Sequence, residues 1–264
     1  MALADDKVRF LVTGVLDDAT HYASSVVSGL FSSHVSDELI RKVYKTTGKE
    51  NEWVHLQVDA VTGIDTVFVG NHNFTKNATV LWQGNSTSDF SSGPALSIAL
   101  AVATDGMGNV IARTANFSSA IAMHDHWRLY VEDSTNALTN LQIGRIMAGR
   151  AIEPMYNSKD GFTERYIDPS RTRRTAGRQG YKNVRPTYME YSYSVGHASR
   201  AQQDEMVGIY NTVGKHTAFV FSLQPKGRPI DSTIYAEFES PNLGFGQTIL
   251  ENADISELLI QEKN

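Results

Sequence analysis

The chain has 264 residues, of which 41% are hydrophobic, so it can form one large domain or two ordinary ones with a sizeable core. It contains no cysteine, which excludes disulfides, cysteine-ligated zinc and thiol nucleophiles. The formal net charge is -5, from 24 basic and 29 acidic residues, and the two signs are spread unevenly along the chain.

The N-terminal residues do not resemble a targeting segment. Met1 to Lys7 include two acids where a secretory signal needs a positive start and an uninterrupted apolar run. No window approaches the roughly 18 apolar residues that a membrane-spanning helix requires. We therefore expect synthesis in a cytoplasm and no membrane partner.

The early chain contains one strand pattern and two weaker patterns. Residues 7–16 predict a first strand, and residues 17–34, rich in Ser, Ala, Asp, Thr and His, predict a long connecting loop. The next segment allows two interpretations, a short helix capped at Ser36-Asp37 or an edge strand from Leu39 to Thr47. We favour the strand.

The strongest β pattern runs from Trp53 to Trp82. Residues 54–58 alternate apolar and polar, Thr62-Gly63 is interpreted as a turn, and Gly70 to Asn73 breaks the pattern. Period-two alternation with Gly and Asn punctuation is typical of antiparallel strands with one buried face. We predict three consecutive strands here.

Further strands follow at similar spacing. Residues 95–104 are apolar, the Gly- and Asn-rich segment 105–109 predicts a tight turn, and residues 110–114 can return antiparallel. Residues 126–132 alternate again. Short strands separated by polar turns predict a jelly-roll β-sandwich for residues 1–150.

The second half is also β-rich. Residues 142–154 and 186–195 have strand patterns, and between them residues 155–183 form a predicted loop of about thirty residues, longer than compact domains usually contain. Two more strands are predicted at 216–223 and 232–239.

One helix is predicted, at residues 199–213. Ser199 is a suitable N-cap with Gln202 three residues later, and Gly214 ends the pattern. The apolar positions recur at helical spacing, at Met206, Ile209, Tyr210 and Val213. The sequence thus predicts a mainly β protein whose second domain, 151–264, contains one packed helix.

The charge asymmetry is centred on the predicted loop. Residues 159–185 contain eight basic and three acidic residues, a balance of +5, and residues 186–264 contain five basic and ten acidic residues, a balance of -5. The basic segment could neutralise phosphates or be a solvated loop, but few aromatic residues lie among its cations, which disfavours nucleic acid. We favour docking on the acidic surface of a neighbouring copy, because arginine pairs with carboxylates bidentately. The candidate interface residues are Arg165, Arg171, Arg173, Arg174, Arg178, Lys182 and Arg185.

No catalytic motif is present in the sequence. There is no nucleophile elbow, phosphate-binding Gly loop or zinc-protease motif, so we predict a protein that is not an enzyme and has no cofactor. His124 and His126 could bind a metal only if a third ligand such as His72 or Asp105 lay near them. Nothing in the spacing requires this.

The three tryptophans allow two interpretations. Trp53, Trp82 and Trp127 could form an aromatic platform for sugar at the loops of the sandwich. All three lie in strand patterns, where large aromatic side chains usually fill the core. We favour the core.

The first half resembles discoidin-like jelly rolls of the galactose-binding type. The segments that carry this resemblance are Glu52 to Val58, Ile64 to Val69, His72-Asn73, Ala78 to Val80 and Trp127 to Val131. The resemblance implies a β-sandwich and transfers no catalytic residue.

The same order of segments, followed by Ile143 to Gly149, Asp168 to Ser170 and Arg173 to Gly177, is similar to tail and virion structural proteins of tailed bacteriophages. This resemblance implies a component of a phage tail or tail tip that forms a ring with its own copies and contacts adjacent virion proteins. The second domain would be of the tail-tube or distal-tail type, with an extended loop on neighbouring subunits. The alternative is a carbohydrate-binding module that recognises a host-surface glycan.

Overall fold

The computed structural model of the chain describes residues 7–154, 158–174, 180–240, 243–247 and 253–263. These residues are mainly β, as predicted, with one α-helix among them. The chain divides into two compact units: unit 1 is Met1–Glu153 with Phe219–Thr233, and unit 2 is Pro154–Ala218 with Ile234–Asn264. The predicted pair of domains that meet near residue 150 stays a prediction. Within the described residues, no helix combines the length and apolar character that crossing a membrane requires.

The helix, α1, is Arg200–Val213. The strands, in chain order, are β1 Arg9–Leu11, β2 Thr20–Ala23, β3 Tyr44–Lys45, β4 Glu52–Gly70, β5 Thr79–Asn85, β6 Leu96–Ala99, β7 Arg113–Glu132, β8 Gln142–Ile143, β9 Arg145–Gly149, β10 Ser158–Ile167, β11 Arg171–Arg174, β12 Gly180–Asn183, β13 Tyr188–Ala198, β14 Phe219–Ser222, β15 Thr233–Phe238, β16 Phe245–Gln247 and β17 Ala253–Glu262.

Unit 1 is organised around two long strands, β4 and β7. They pair antiparallel with each other, and the sheet order is β2-β4-β7-β5-β6, with β9 also on β4. The register between β4 and β7 shifts between Gln57 and Thr62 and again between Ile64 and Thr66. The turn predicted at Thr62-Gly63 is therefore wrong: these irregularities bend the strand without reversing the chain.

The core of unit 1 is formed by the apolar positions of the alternating strands. Val54 and Leu56 from β4 pack with Leu129 from β7 and are fully buried. Trp82 and Trp127 stack in the same core, with ring centroids 5.6 Å apart. The core interpretation is therefore confirmed for these two tryptophans. Trp53 alternates with Val54 and is only half-buried.

Two early segments differ from the prediction. Residues 17–34 contain strand β2, which pairs with β4, and a 3₁₀ turn begins at Ser32 and ends at Ser36. The predicted strand from Leu39 to Thr47 is reduced to β3, which pairs with β8. The sequence does not predict strand β2, because no residue of this strand is fully buried and it therefore lacks the apolar alternation of a core strand.

Unit 2 contains an antiparallel sheet in the order β10-β13-β17-β15, with β16 also on β17. Helix α1 contacts β13 and β17. The predicted capping box is confirmed: the Ser199 side chain accepts from the Gln202 amide, and the Gln202 side chain accepts from the Ser199 amide. Gly214 ends the helix at φ 54°, a conformation that favours glycine.

The long loop predicted at residues 155–183 is wrong for the described part of that segment. Strand β10 pairs with β13, and β11 pairs with β12 as a separate two-stranded ribbon. Residues 155–157 and 175–179 lie outside the described residues. Every side chain of the ribbon is exposed, so there was no burial to produce an apolar alternation in its sequence.

Candidate functional site

Four neighbouring strands of unit 1 present one polar or aromatic side chain each in a straight row. Tyr22 of β2 is the cross-strand partner of His55 of β4, His55 is that of Arg128 of β7, and Arg128 is that of Gln83 of β5. Cross-strand partners point to the same face of a sheet. Because Val54, Leu56 and Leu129 alternate with them into the core, this row lies on the outer face.

A second row lies two residues along the same strands. It consists of Thr20, Gln57, His126 and Asn85, again in cross-strand register. We call the eight residues of the two rows the outer polar face. None of the eight is acidic, and planar amide, imidazole and guanidinium groups predominate.

Aromatic rings flank His55 on the outer polar face. The Tyr22 ring stacks on the imidazole at 5.4 Å and 24°, and the Phe90 ring meets it edge-on at 5.6 Å. His55 and Phe90 are buried, whereas Tyr22 is 47% exposed. Tyr22 therefore offers solvent an aromatic surface whose orientation is fixed by a neighbouring ring.

The two histidines of the face form a hydrogen-bonded pair. His55 Nε2 lies 3.0 Å from His126 Nδ1, so one ring donates and the other accepts. His126 Nε2 also lies 4.0 Å from Asp125 Oδ2. Burial, followed by the charges of His126 and Arg128, lowers the pKa of His55 to about 4. His55 is therefore neutral at pH 7.

Arg128 is held in place by neutral groups. Its Nε donates to Gln83 Oε1 at 2.8 Å, and its guanidinium carbon lies 4.2 Å from the centre of the Phe90 ring. The Tyr130 ring lies further off, at 5.8 Å. Burial lowers the pKa of Arg128, yet an arginine stays charged at neutral pH. The face thus contains one oriented cation.

The proposed metal ligands are not brought together. His126 pairs with His55, whereas the His124 ring packs edge-on against the core residue Trp127 at 5.3 Å. A register irregularity separates the two histidines, so their side chains do not share a face. Nε2 of His72 is buried, and Asp105 caps its own turn. In the described parts of the chain, no three His, Cys, Asp or Glu side chains are grouped for a metal.

The basic interface candidates lie mainly on the β11–β12 ribbon of unit 2. Cross-strand partners are Arg171 with Asn183, Thr172 with Lys182, Arg173 with Tyr181 and Arg174 with Gly180, so no two cations face each other directly. A concavity of about 320 Å³ is lined by Arg171, Arg173, Tyr181, Lys182, Asn183 and Arg185. Arg165 is on β10, 3.5 Å from Glu190, and Arg178 lies outside the described residues.

Sequence reasoning found the ribbon cations but missed the outer polar face. The tryptophans, for which a sugar platform was the alternative to the favoured core interpretation, are core residues in two of three cases. Tyr22 was assigned to a loop, and His55, Gln83 and Arg128 were not considered together. Their polar positions between apolar ones were visible in the sequence, but which strands neighbour each other was not.

No family model matches the chain, and no curated protein matches it. Several solved structures are similar. The lectin domain of lectinolysin, solved with Lewis B antigen, is 12% identical with a TM-score of 0.42, over 54% of this chain and 99% of that one. A Streptococcus pneumoniae fucose-binding module is 9% identical with a TM-score of 0.42, over 52% and 98%.

A chitosan-binding module from a Paenibacillus sp. IK-5 chitosanase/glucanase, solved with chitotriose, is 14% identical with a TM-score of 0.37, over 50% of this chain and 97% of that one. None of these proteins is described as a virion component. At such identities and scores the likeness carries no argument, and the function has to be argued from the residues of this chain.

Proposed function

We propose that unit 1 is a carbohydrate-binding module and that the outer polar face is its binding surface. The observation that carries the proposal is the exposed Tyr22 ring in line with planar polar side chains on the three adjacent strands. A sugar ring has one face of C–H groups and a rim of hydroxyls. The C–H face packs on an aromatic ring, and the hydroxyls bond to amides, imidazoles and guanidinium groups.

The face is preorganised for such a ligand. The His55 ring fixes Tyr22, and Gln83 and Phe90 fix Arg128, so little side-chain entropy is lost on binding. Gln57 and Thr20 are accessible beside the tyrosine and add donors and acceptors. His55, Gln83, Asn85 and His126 are buried, so the face offers Tyr22 as one stacking surface and Thr20, Gln57 and Arg128 as accessible polar contacts. One apolar surface with a few polar groups is the usual composition of a ligand site.

A glycan array probed with the labelled protein tests this proposal, followed by titration of any hit. We expect Tyr22→Ala to weaken binding about tenfold because the stacking surface is lost, and Tyr22→Phe to retain most of it. Tyr166→Ala removes a tyrosine of unit 2 that is 67% exposed and is the matched control. An array without any hit, or a Tyr22→Ala variant that binds like the wild type, would overturn the proposal.

We also propose that the chain self-associates through the β11–β12 ribbon. An isolated two-stranded ribbon is marginally stable in water, and this one is fully exposed and contains three arginines and a lysine. Within the described residues these four side chains have no ion pair. An acidic surface of a second copy would neutralise them, and a head-to-tail contact of this kind closes into a ring or extends into a tube. The phage-tail role rests on the sequence resemblance alone.

Light scattering at about 50 and 500 mM salt tests this second proposal, because exposed ion pairs weaken with ionic strength. We expect oligomers at low salt that dissociate at high salt, and a double variant R171Q/R173Q that remains monomeric. The matched control R41Q/R150Q removes two exposed arginines of unit 1. A protein that is monomeric in both buffers would contradict the proposal.

A further inference from the structure

The arginines of unit 1 differ in what neutralises them. Arg145 is 2% exposed, and its Nη2 lies 2.8 Å from Asp17. Arg9 is 9% exposed, and its Nη2 lies 3.0 Å from Glu153. Arg128 is half-buried, but among the described residues no carboxylate lies within 4 Å of it. Taking a charge partly out of water without a counter-ion is costly, which is why such arginines are usually paired.

The described surroundings of Arg128 provide an aromatic ring and an amide but no counter-charge. Its cross-strand neighbours His55 and Gln83 are neutral, and the outer polar face contains no acid. Two acids lie next to residues of this region in the chain: Asp125, adjacent to His126, lies 4.0 Å from that ring, and Asp89, adjacent to Phe90, accepts from Ser91. Nε of Arg128 is used by Gln83, which leaves the two terminal nitrogens without a hydrogen-bond partner in the described part of the chain.

We propose that the ligand supplies the missing anion, so that the outer polar face binds acidic saccharides. This inference rests on the carbohydrate-binding function proposed above. The carboxylate of a uronic or other acidic sugar, or a sulfate ester, accepts hydrogen bonds from the terminal nitrogens of Arg128. A planar guanidinium matches the oxygens of either group, whereas a neutral sugar leaves the charge unpaired.

The spacing of the face sets a minimum length for the ligand. Arg128 and Tyr22 are on strands separated by one other strand, which places them about 10 Å apart at the usual strand spacing. This is the spacing of the two backbones, and it is longer than one sugar ring. We therefore expect the ligand to be a disaccharide or longer, with the acidic group on one residue and the stacking face on a neighbouring one.

Titration calorimetry with matched probes tests this inference. The probes are trigalacturonate and its uncharged methyl ester, and a sulfated disaccharide with its unsulfated counterpart, with free galacturonate and inorganic sulfate as separate arms. We expect the wild type to bind an acidic oligosaccharide about 10- to 100-fold more tightly than its neutral counterpart, the range expected for one charged hydrogen-bonding group. Which acidic probe binds identifies the anion as carboxylate or sulfate.

Variants assign the effect to Arg128. Arg128→Gln should remove the preference and bring acidic and neutral probes to the same affinity, and Arg128→Lys should restore part of it because the charge remains without the planar fork. Arg150→Gln, which removes an exposed arginine of the same unit, should change nothing. Thermal unfolding of each variant shows that it is folded.

The outcomes separate the two proposals. Tight binding of neutral probes with no preference for acidic ones overturns this inference and leaves carbohydrate binding standing. Equal binding of the free acid or inorganic sulfate shows an adventitious anion contact and also overturns it. Absence of binding to every probe and every array glycan overturns both.

Discussion

Both units contain arginine without a carboxylate partner in the described residues, unit 1 on the outer polar face and unit 2 on the β11–β12 ribbon. The two regions differ in how firmly the arginine side chains are fixed. On the face, one guanidinium is fixed between an amide and an aromatic ring on a four-strand platform. On the ribbon, the cations are fully exposed on two strands. A fixed cation selects a ligand by geometry, whereas exposed cations attract any anionic surface and are screened by salt. Under the two proposals, the same residue type serves recognition in one unit and association in the other.

The largest effect on stability is expected when the buried Arg145 loses its carboxylate partner, a kind of partner that Arg128 does not have. Asp17→Asn leaves Arg145 charged, 2% exposed and without its carboxylate. We expect unit 1 to lose about 3 kcal/mol or more of unfolding free energy, because the guanidinium stays buried and charged while its carboxylate, which is 37% exposed, is lost. Urea unfolding followed by tryptophan fluorescence measures it, because Trp53, Trp82 and Trp127 all lie in unit 1.

Asp18→Asn is the matched control, since Asp18 is the exposed neighbour of Asp17 and should change the free energy by less than about 0.5 kcal/mol. If Asp17→Asn were as stable as this control, burial of an unpaired guanidinium would cost little here. The lack of a partner at Arg128 would then no longer indicate a ligand.

The second-largest effect is expected on lowering the pH, which should affect unit 1 alone. The described ribbon contains no Asp, Glu or His, whereas unit 1 contains buried neutral histidines. Burial lowers the pKa of His72 to about 4, and His55 is lowered to about the same value. An unfolded histidine, with a pKa near 6.5, binds its proton first as the pH falls. Stability is therefore complete above pH 6.5 and falls progressively to about pH 4, by up to about 3 kcal/mol for His72.

Urea unfolding at pH 7.5, 6, 5 and 4.5, again followed by tryptophan fluorescence, measures this loss. His72→Gln should make the profile shallower, because the titration of His72 is removed while that of His55 remains. Glutamine can still accept the hydrogen bond that the Phe74 amide donates to His72 Nδ1. His34→Gln is the control, since His34 is a histidine of the same unit on the 3₁₀ turn. A profile that His34→Gln flattens as much as His72→Gln would rule out the buried ring as its cause.

The elements of the fold that could be predicted from the sequence are mainly those with a buried face. The alternation at residues 54–58 predicted strands because one face of β4 is in the core, and the capping box at Ser199 was read from local hydrogen-bonding chemistry. The ribbon and β2 were missed because no side chain of theirs is fully buried, so no apolar period marks them. The turn predicted at Thr62-Gly63 failed because a bulge and a turn use similar residues.

The candidate site was less predictable than the fold for a different reason. Its first row joins residues 22, 55, 83 and 128, which come from four strands, and only the strand order and register bring them together. A one-residue slip would turn each of these side chains toward the core. The ribbon cations were found because charge accumulates locally in the sequence and needs no long-range pairing to be seen.

A smaller effect on stability is expected for Arg128→Gln. The variant loses the contact of the guanidinium with Phe90 but also removes a half-buried charge without a partner, and these two effects oppose each other. We expect the unfolding free energy to change by less than about 1 kcal/mol, in contrast to Asp17→Asn. A loss of 3 kcal/mol or more would mean that Arg128 mainly supports the fold, and its unpaired state would then not indicate a binding role.

The smallest effect is expected at the ribbon, where water already solvates the charges. R171Q/R173Q should change the unfolding free energy by less than about 0.5 kcal/mol, because exposed charges contribute little alone. The effect of the double substitution should be detectable in the salt dependence of amide hydrogen exchange in β11 and β12. In wild-type protein dilute enough to be monomeric in both buffers, salt screens the repulsion among the cations, so exchange should slow between about 20 and 500 mM salt, and in the variant much less. Equal salt dependence in both would show that the charges do not repel one another enough to need an anionic partner, which would weaken the case for association through the ribbon while leaving the outer polar face untouched.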